Sequence, residues 1–171
     1  MNEKQTKQVR MHRDFFERCQ FAIDNAFDLE AIFLEYAAIE SRLEIILGIL
    51  GAPCNKSLAS GIRKNINISH RINCFEKLIT GSCFEKTKIN GKFFKDIRKW
   101  IEKRNTYIHG LYKNEHDYNG RIGGARDIAA TGLELCRLLY NEAKRLNRLL
   151  KKNPEIFDGL PECAKPCFSN N

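Results

Sequence analysis

An arginine and a histidine, Arg104 and His109, stand five positions apart in this chain of 171 residues. A guanidinium can bind two oxygens of a phosphate and stabilise the negative charge that develops during its reaction. An imidazole titrates near neutral pH, so it can take a proton from a hydroxyl or give one to a leaving oxygen. In RNA the attacking 2′-hydroxyl already lies beside the phosphorus. The pair therefore predicts phosphodiester cleavage without a metal ion, although this spacing also occurs by chance in many helices.

The motif falls late in a predicted helix, and helical geometry separates its two main side chains. Five residues turn about 500° at about 100° each, so Arg104 and His109 point roughly 140° apart. Asn105 and His109 are four residues apart and share a face. Three arrangements follow: Arg104 reaches round the helix on its long stem, the helix is distorted near Gly110, or the site is built from two copies of the helix across a twofold axis.

The spacing of apolar residues predicts an all-α fold, because they recur every three or four positions and no strand-like alternation is found. We expect an up-and-down helical bundle of four to five helices, forming a single domain over 1–152, with a poorly ordered, proline-containing tail over 153–171. Long helices are predicted over 1–25, 28–50, 92–113 and 126–152. A short helix is predicted over 57–64 and another over 70–80, and loops over 82–91 and 114–124.

The net charge of +8 is concentrated in two segments. Residues 86–104 carry eight basic side chains against Asp96 and Glu102, and a second basic run lies within 137–152. Such concentration attracts polyanions by neutralising phosphates. We expect Lys99 and Lys103 to bind substrate in this way. The alternative is a solvated helix face.

The remaining composition predicts a globular protein of the cytoplasm. The longest apolar region, 29–50, is interrupted by five charged residues and so cannot span a membrane, and the N-terminus lacks an apolar signal core. Seven cysteines, mostly in apolar helical context, suit free thiols in a reducing compartment. Cys163 and Cys167 are spaced like half of a metal site, but no matching pair of ligands accompanies them. We therefore expect no metal and no cofactor.

The stretch Arg104-Asn105-x-x-x-His109-Gly110, late in an amphipathic helix of a small helical bundle, resembles the signature of the HEPN superfamily. In that pattern four to six residues separate an arginine, often followed by a polar residue, from a histidine. The resemblance implies a metal-independent endoribonuclease that dimerises so that the motif helices line a shared cleft. Members act in toxin–antitoxin, phage-defence and RNA-processing systems, so RNA, a second copy and an antitoxin or other regulatory protein are the partners implied.

The resemblance also implies roles for single residues. Arg104 would bind the scissile phosphate, His109 would act as general acid or base, and Asn105 would orient His109 or hold substrate. The products would carry a 2′,3′-cyclic phosphate and a 5′-hydroxyl. The subgroup paired with minimal nucleotidyltransferase antitoxins has a tyrosine where this chain has Leu111. Control of the activity by nucleotide modification of that tyrosine is thus in doubt.

Further residues near the motif have two readings each. Tyr112 could stack on a base or anchor the helix at the surface. Glu40, on the preceding long helix, could face the site or be solvated. For the whole protein, the alternatives to a ribonuclease are a non-catalytic helical bundle that binds RNA or a partner protein, and an oligomerising scaffold whose Arg104 and His109 only fill an interface.

Overall fold

The computed structural model describes residues 3–51, 68–69, 71–73, 88–89, 91–111 and 118–153. Four long helices lie in these ranges: α1 (Glu3–Asp24), α2 (Asp28–Gly51), α3 (Gly91–Leu111) and α4 (Tyr118–Lys152). Residues 68–69 and 71–73 are helical as well, and no strand occurs in the described part of the chain. The predicted all-α helical bundle is confirmed. The predicted helix over 57–64 and, apart from Asn153, the predicted tail over 153–171 lie outside the described residues.

Three helices begin and end close to their predicted limits, but the prediction for the start of α4 was wrong. The sequence predicted a loop over 114–124 because it contains Asn119-Gly120 and Gly123-Gly124, whereas helix already begins at Tyr118. Glycine weakens a helix interior by about 1 kcal/mol per residue but does not forbid it. The helix gains by extending, because Ala125, one residue before the predicted start, is buried. The helix α3 runs without interruption through Gly110, so the distortion considered there is absent.

The chain divides into two compact units, and unit 1 contains the motif. Unit 1 comprises Met1–Ala38 and Trp100–Cys136. Its core is made by buried residues of α1, α2 and α4, with Tyr107 of α3 packed against them. Trp100 is almost completely buried, and its indole nitrogen donates a hydrogen bond of 2.7 Å to the backbone carbonyl of Ile128. The indole therefore fixes α3 against α4 within this unit.

The turn between α1 and α2 orients the start of α2 in unit 1. The amide of Phe27 donates to the carbonyl of Ala22 (2.8 Å) and that of Ala26 to Ile23 (3.2 Å), which is the Schellman pattern of a helix C-terminus. Ala26 takes the left-handed conformation that this pattern needs, with φ of 61°. For a residue with a Cβ that conformation costs roughly 1–2 kcal/mol. Asp28 then opens α2, where a carboxylate is favoured by the helix dipole.

Unit 2 comprises Ile39–Lys99 and Arg137–Asn171. Buried residues from its parts of α2, α3 and α4 form its core, among them Leu43, Phe94 and Leu139. Arg71 is buried and lies 3.6 Å from a carboxylate oxygen of Glu40 and 3.8 Å from one of Glu44. None of the described helices combines the length and apolar character needed to cross a bilayer.

Candidate functional site

Arg104 lies on the side of α3 that packs into unit 1. It follows Trp100 by four residues and Ile101 by three, and both of these are buried, so its stem leaves the helix on their face. Its guanidinium carbon lies 4.5 Å from the centroid of the Tyr36 ring and 5.5 Å from that of the Phe33 ring. Both rings belong to α2. The arginine is therefore held by aromatic rings rather than extended into solvent.

Two further features define the state of this guanidinium. One terminal nitrogen donates a hydrogen bond of 2.9 Å to the side-chain carbonyl oxygen of Asn105. Among the described residues, no hydrogen-bond acceptor serves the buried Nε–H group of Arg104. Cation–π contacts contribute about 0.5–2 kcal/mol each, whereas an unsatisfied buried donor costs about 1–3 kcal/mol. The arrangement holds the cation in one orientation, and the side chain as a whole is partly exposed.

His109 lies on a different side of α3. Its side chain is exposed, and it stands in the last turn of the helix. Because α3 is continuous, the roughly 140° between Arg104 and His109 is not reduced by any break in the helix. Within the described part of the chain no hydrogen bond joins His109 to Arg104 or Asn105. One chain therefore joins Arg104 to Asn105 by a hydrogen bond and leaves His109, which shares a helix face with Asn105, away from Arg104.

The other predicted site residues fall into three groups. Lys99 and Lys103 are exposed, four residues apart on the outer side of α3. Glu40 is paired with Arg71 in unit 2, where its backbone carbonyl also accepts a hydrogen bond of 3.1 Å from that arginine, so it is not merely solvated. Tyr112, like Cys163 and Cys167, lies outside the described residues.

Two residues of the site were missed by sequence reasoning. Phe33 and Tyr36 stand at helical spacing within the predicted helix over 28–50, and nothing in the sequence marks them as partners of Arg104. The signal that was available is their spacing of three residues, which puts two aromatic rings on one helix face. Which element that face meets depends on tertiary packing, so the pairing with Arg104 could not be predicted from α2 alone.

A second polar group in unit 1, Glu35, was also missed. Its side chain is completely buried, and neither carboxylate oxygen has a hydrogen-bond partner among the described residues. Burial, and secondly the charge of Asp28, raises the pKa of Glu35 to about 9 from an ordinary value of 4.5. Gly132 of α4 faces the carboxyl group, since a Cβ there would lie 2.8 Å from the Cδ of Glu35. The carboxyl group is therefore neutral at pH 7 and enclosed in the core of unit 1.

The thiols and possible metal ligands add no second cluster to this picture. Cys19 and Cys136 are buried thiols, as predicted for them. Burial, then the negative charge that Glu35 carries above its own pKa, and then that of Glu30 raise the pKa of Cys19 to about 12, so its thiol is not activated as a nucleophile. Among the residues that the structure describes, no three histidine, cysteine or acidic side chains are grouped so as to hold a metal ion.

The buried glutamate makes stability depend on pH. The pKa of Glu35 is higher in the folded protein than in the unfolded chain. Between about pH 4.5 and about pH 9 the folded protein therefore keeps a proton that the unfolded chain has already released. Its contribution to stability is complete below that window and is lost as pH rises through it, by at most about 1.4 kcal/mol per pH unit. We expect the free energy of unfolding in urea to fall with pH over this window in the natural protein.

Glu35→Gln provides the control for this pH dependence, since glutamine has nearly the same shape and does not titrate. Its absolute stability can differ from that of the natural protein, but its pH profile should lack the slope due to Glu35. Parallel profiles for the two proteins would contradict a neutral Glu35.

Comparison with known proteins leaves the chain without relatives to argue from. No protein-family model, no curated protein and no solved structure matches it. The resemblance to the HEPN superfamily thus depends on the motif and the helical architecture of the chain itself. The features that bear on function are therefore Arg104, Asn105 and His109 and their surroundings.

Proposed function

We propose that this protein is a metal-independent endoribonuclease of the HEPN type that cleaves single-stranded RNA by attack of the 2′-hydroxyl. The observation that carries the proposal is the guanidinium of Arg104, which is fixed by Tyr36, Phe33 and Asn105 while its side chain stays partly exposed. A fixed, partly exposed arginine suits a phosphate whose negative charge increases during the reaction. The cellular role that we propose is that of a toxin, a phage-defence effector or an RNA-processing enzyme.

In this proposal Arg104 binds the scissile phosphate, and Asn105 orients the guanidinium of Arg104 through the 2.9 Å hydrogen bond. His109 moves the proton, as the base for the 2′-hydroxyl or the acid for the leaving 5′-oxygen. The exposed Lys99 and Lys103 attract the RNA backbone. The products are a 2′,3′-cyclic phosphate and a 5′-hydroxyl.

The placement of His109 favours a site shared by two chains. Arg104 points toward α2 in its own chain, while His109 is exposed on another side of α3. A twofold dimer in which the two α3 helices meet would bring the arginine of one chain near the histidine of the other. We therefore propose a homodimer with two composite sites.

Metal-free RNA cleavage tests the proposed function. The purified protein, incubated with single-stranded RNA and a chelator, should yield the cyclic phosphate, and Arg104→Ala and His109→Ala should each lower the rate about 100- to 10,000-fold. Arg126→Ala removes an exposed arginine of α4 in the same unit and serves as the matched control. Cleavage that survives both Arg104→Ala and His109→Ala would contradict the proposal.

The second candidate is a non-catalytic module that binds RNA. It is favoured by the same separation of Arg104 from His109, and by the exposure of Lys95, Lys99 and Lys103 along α3. It predicts salt-sensitive binding without products, weakened when these three lysines are neutralised. The absence of any cyclic phosphate after long incubation, together with such binding, would select this candidate.

A further inference from the structure

The aromatic side chain of Phe33, on α2, is largely exposed to solvent. Its relative exposure is 53%, although it lies on a helix whose opposite face is completely buried. The guanidinium of Arg104 approaches the ring to 5.5 Å from its centroid. Phe33 therefore combines contact with this cation and a side chain that is more than half exposed. A largely exposed aromatic side chain thus lies beside the proposed phosphate-binding cation.

We propose that Phe33 stacks an unpaired nucleobase of the RNA, so that Phe33 and Arg104 together form a subsite for one nucleotide. The inference rests on the proposed function and extends it, since it locates one base of the single-stranded RNA on the protein. Aromatic side chains bind the bases of single strands by stacking, and a neighbouring arginine adds a cation–π contribution. An unpaired base is required, because a base within a duplex cannot present its flat face to a side chain.

The surroundings of Phe33 favour a nucleotide over an apolar protein surface. Leu29 and Ala37, four residues away on either side, are also exposed and would suit an apolar partner. The cation of Arg104 argues against such a partner, because an apolar surface would cover the partly exposed arginine without supplying an acceptor. A nucleotide supplies both a flat ring for Phe33 and phosphate oxygens for Arg104.

The chain contains matched controls for this proposal. Phe21 and Phe27 belong to the same unit and have relative exposures of 62% and 54%, close to that of Phe33. Among the described residues neither ring is stacked with Arg104. Substitution of these residues therefore tests for the general effect of removing an exposed phenyl ring.

The experiment measures binding separately from cleavage. In full-length protein carrying His109→Ala, a single-stranded oligoribonucleotide containing 2-aminopurine is titrated, and both affinity and fluorescence quenching are recorded. Phe33→Leu should weaken binding about 10-fold or more and reduce the quenching, whereas Phe33→Trp should retain both. Phe21→Leu and Phe27→Leu should leave affinity and quenching unchanged.

Two results would overturn the proposal. One is unchanged affinity and quenching in Phe33→Leu. The other is a change of oligomeric state in Phe33→Leu, measured by light scattering, with RNA affinity unchanged, since Phe33 would then belong to an interface between copies. Cleavage by the natural protein is measured independently. If the natural protein cleaves RNA but Phe33→Leu changes neither affinity nor quenching, the subsite alone is refuted. Stacking without any cleavage refutes the nuclease alone.

Discussion

An equal mixture of the Arg104→Ala and His109→Ala proteins is expected to cleave RNA at about a quarter of the natural rate, although neither protein is active alone. Random exchange of subunits makes half of the dimers heterodimers. If Arg104 of one chain works with His109 of the other, each heterodimer has one site with both residues intact and one site with neither. The expected recovery is one active site in half of the dimers.

Dilution of the natural protein provides the complementary measurement. When it is mixed with an equal amount of the double variant Arg104→Ala/His109→Ala, every composite site of a heterodimer lacks one of the two residues. Compared with natural protein at the same total protein concentration, the mixture should keep about a quarter of the activity if the site is shared. It should keep about half if each chain holds a complete site. No recovery from the two single variants, combined with half activity on dilution, would show that Arg104 and His109 act within one chain.

The outline of the fold could be predicted because each long helix carries its own signal. Apolar residues at helical spacing indicated α1, α2 and α3, and the structure places their ends within a few residues of the predicted limits. The start of α4 could not be predicted in the same way, because Gly120, Gly123 and Gly124 are typical of loops. Ala125, directly after these glycines, is buried, and this burial depends on tertiary packing that a local reading of glycines does not contain.

The site could be predicted only as far as α3 reaches. The angle between Arg104 and His109 follows from helical geometry, and the continuous helix agrees with it. The surroundings of Arg104 come from another helix, so its contacts with Tyr36 and Phe33 depend on the angle and register at which α2 and α3 pack in unit 1. The burial of Glu35 could not be predicted for a different reason. A glutamate in an amphipathic helix is usually exposed, and only the glycine opposite it explains how this one is buried.

Gly132→Ala is expected to destabilise the protein by about 2 kcal/mol or more, even though alanine is the better helix former. A Cβ at this position would lie 2.8 Å from the Cζ2 atom of Trp100 and would overlap the carboxyl group of Glu35. The indole cannot easily withdraw, because it is held by its 2.7 Å hydrogen bond to Ile128. The carboxyl group is completely buried, so it has no solvent to move into.

Gly124→Ala separates this steric effect from helix propensity. Gly124 is exposed in the same helix, and a Cβ there would have no atom within 4 Å, so alanine should stabilise the protein by about 0.5–1 kcal/mol. Urea denaturation of both variants measures the difference. Equal stabilisation by the two substitutions would show that α4 does not approach Glu35 as closely as the structure has it.

The origin of the Gly132→Ala effect can be assigned by combining it with Glu35→Ala. If the carboxyl group is the main obstacle, removing it opens room for the new methyl group, and Gly132→Ala should cost less in the Glu35→Ala protein than in the natural one. Residues in direct contact show coupling energies of about 0.5–3 kcal/mol in such cycles, whereas independent sites add. Strict additivity would assign the cost to Trp100 instead. Coupling would show that Gly132 is what allows a neutral carboxyl group to lie in the core of the unit that holds Arg104.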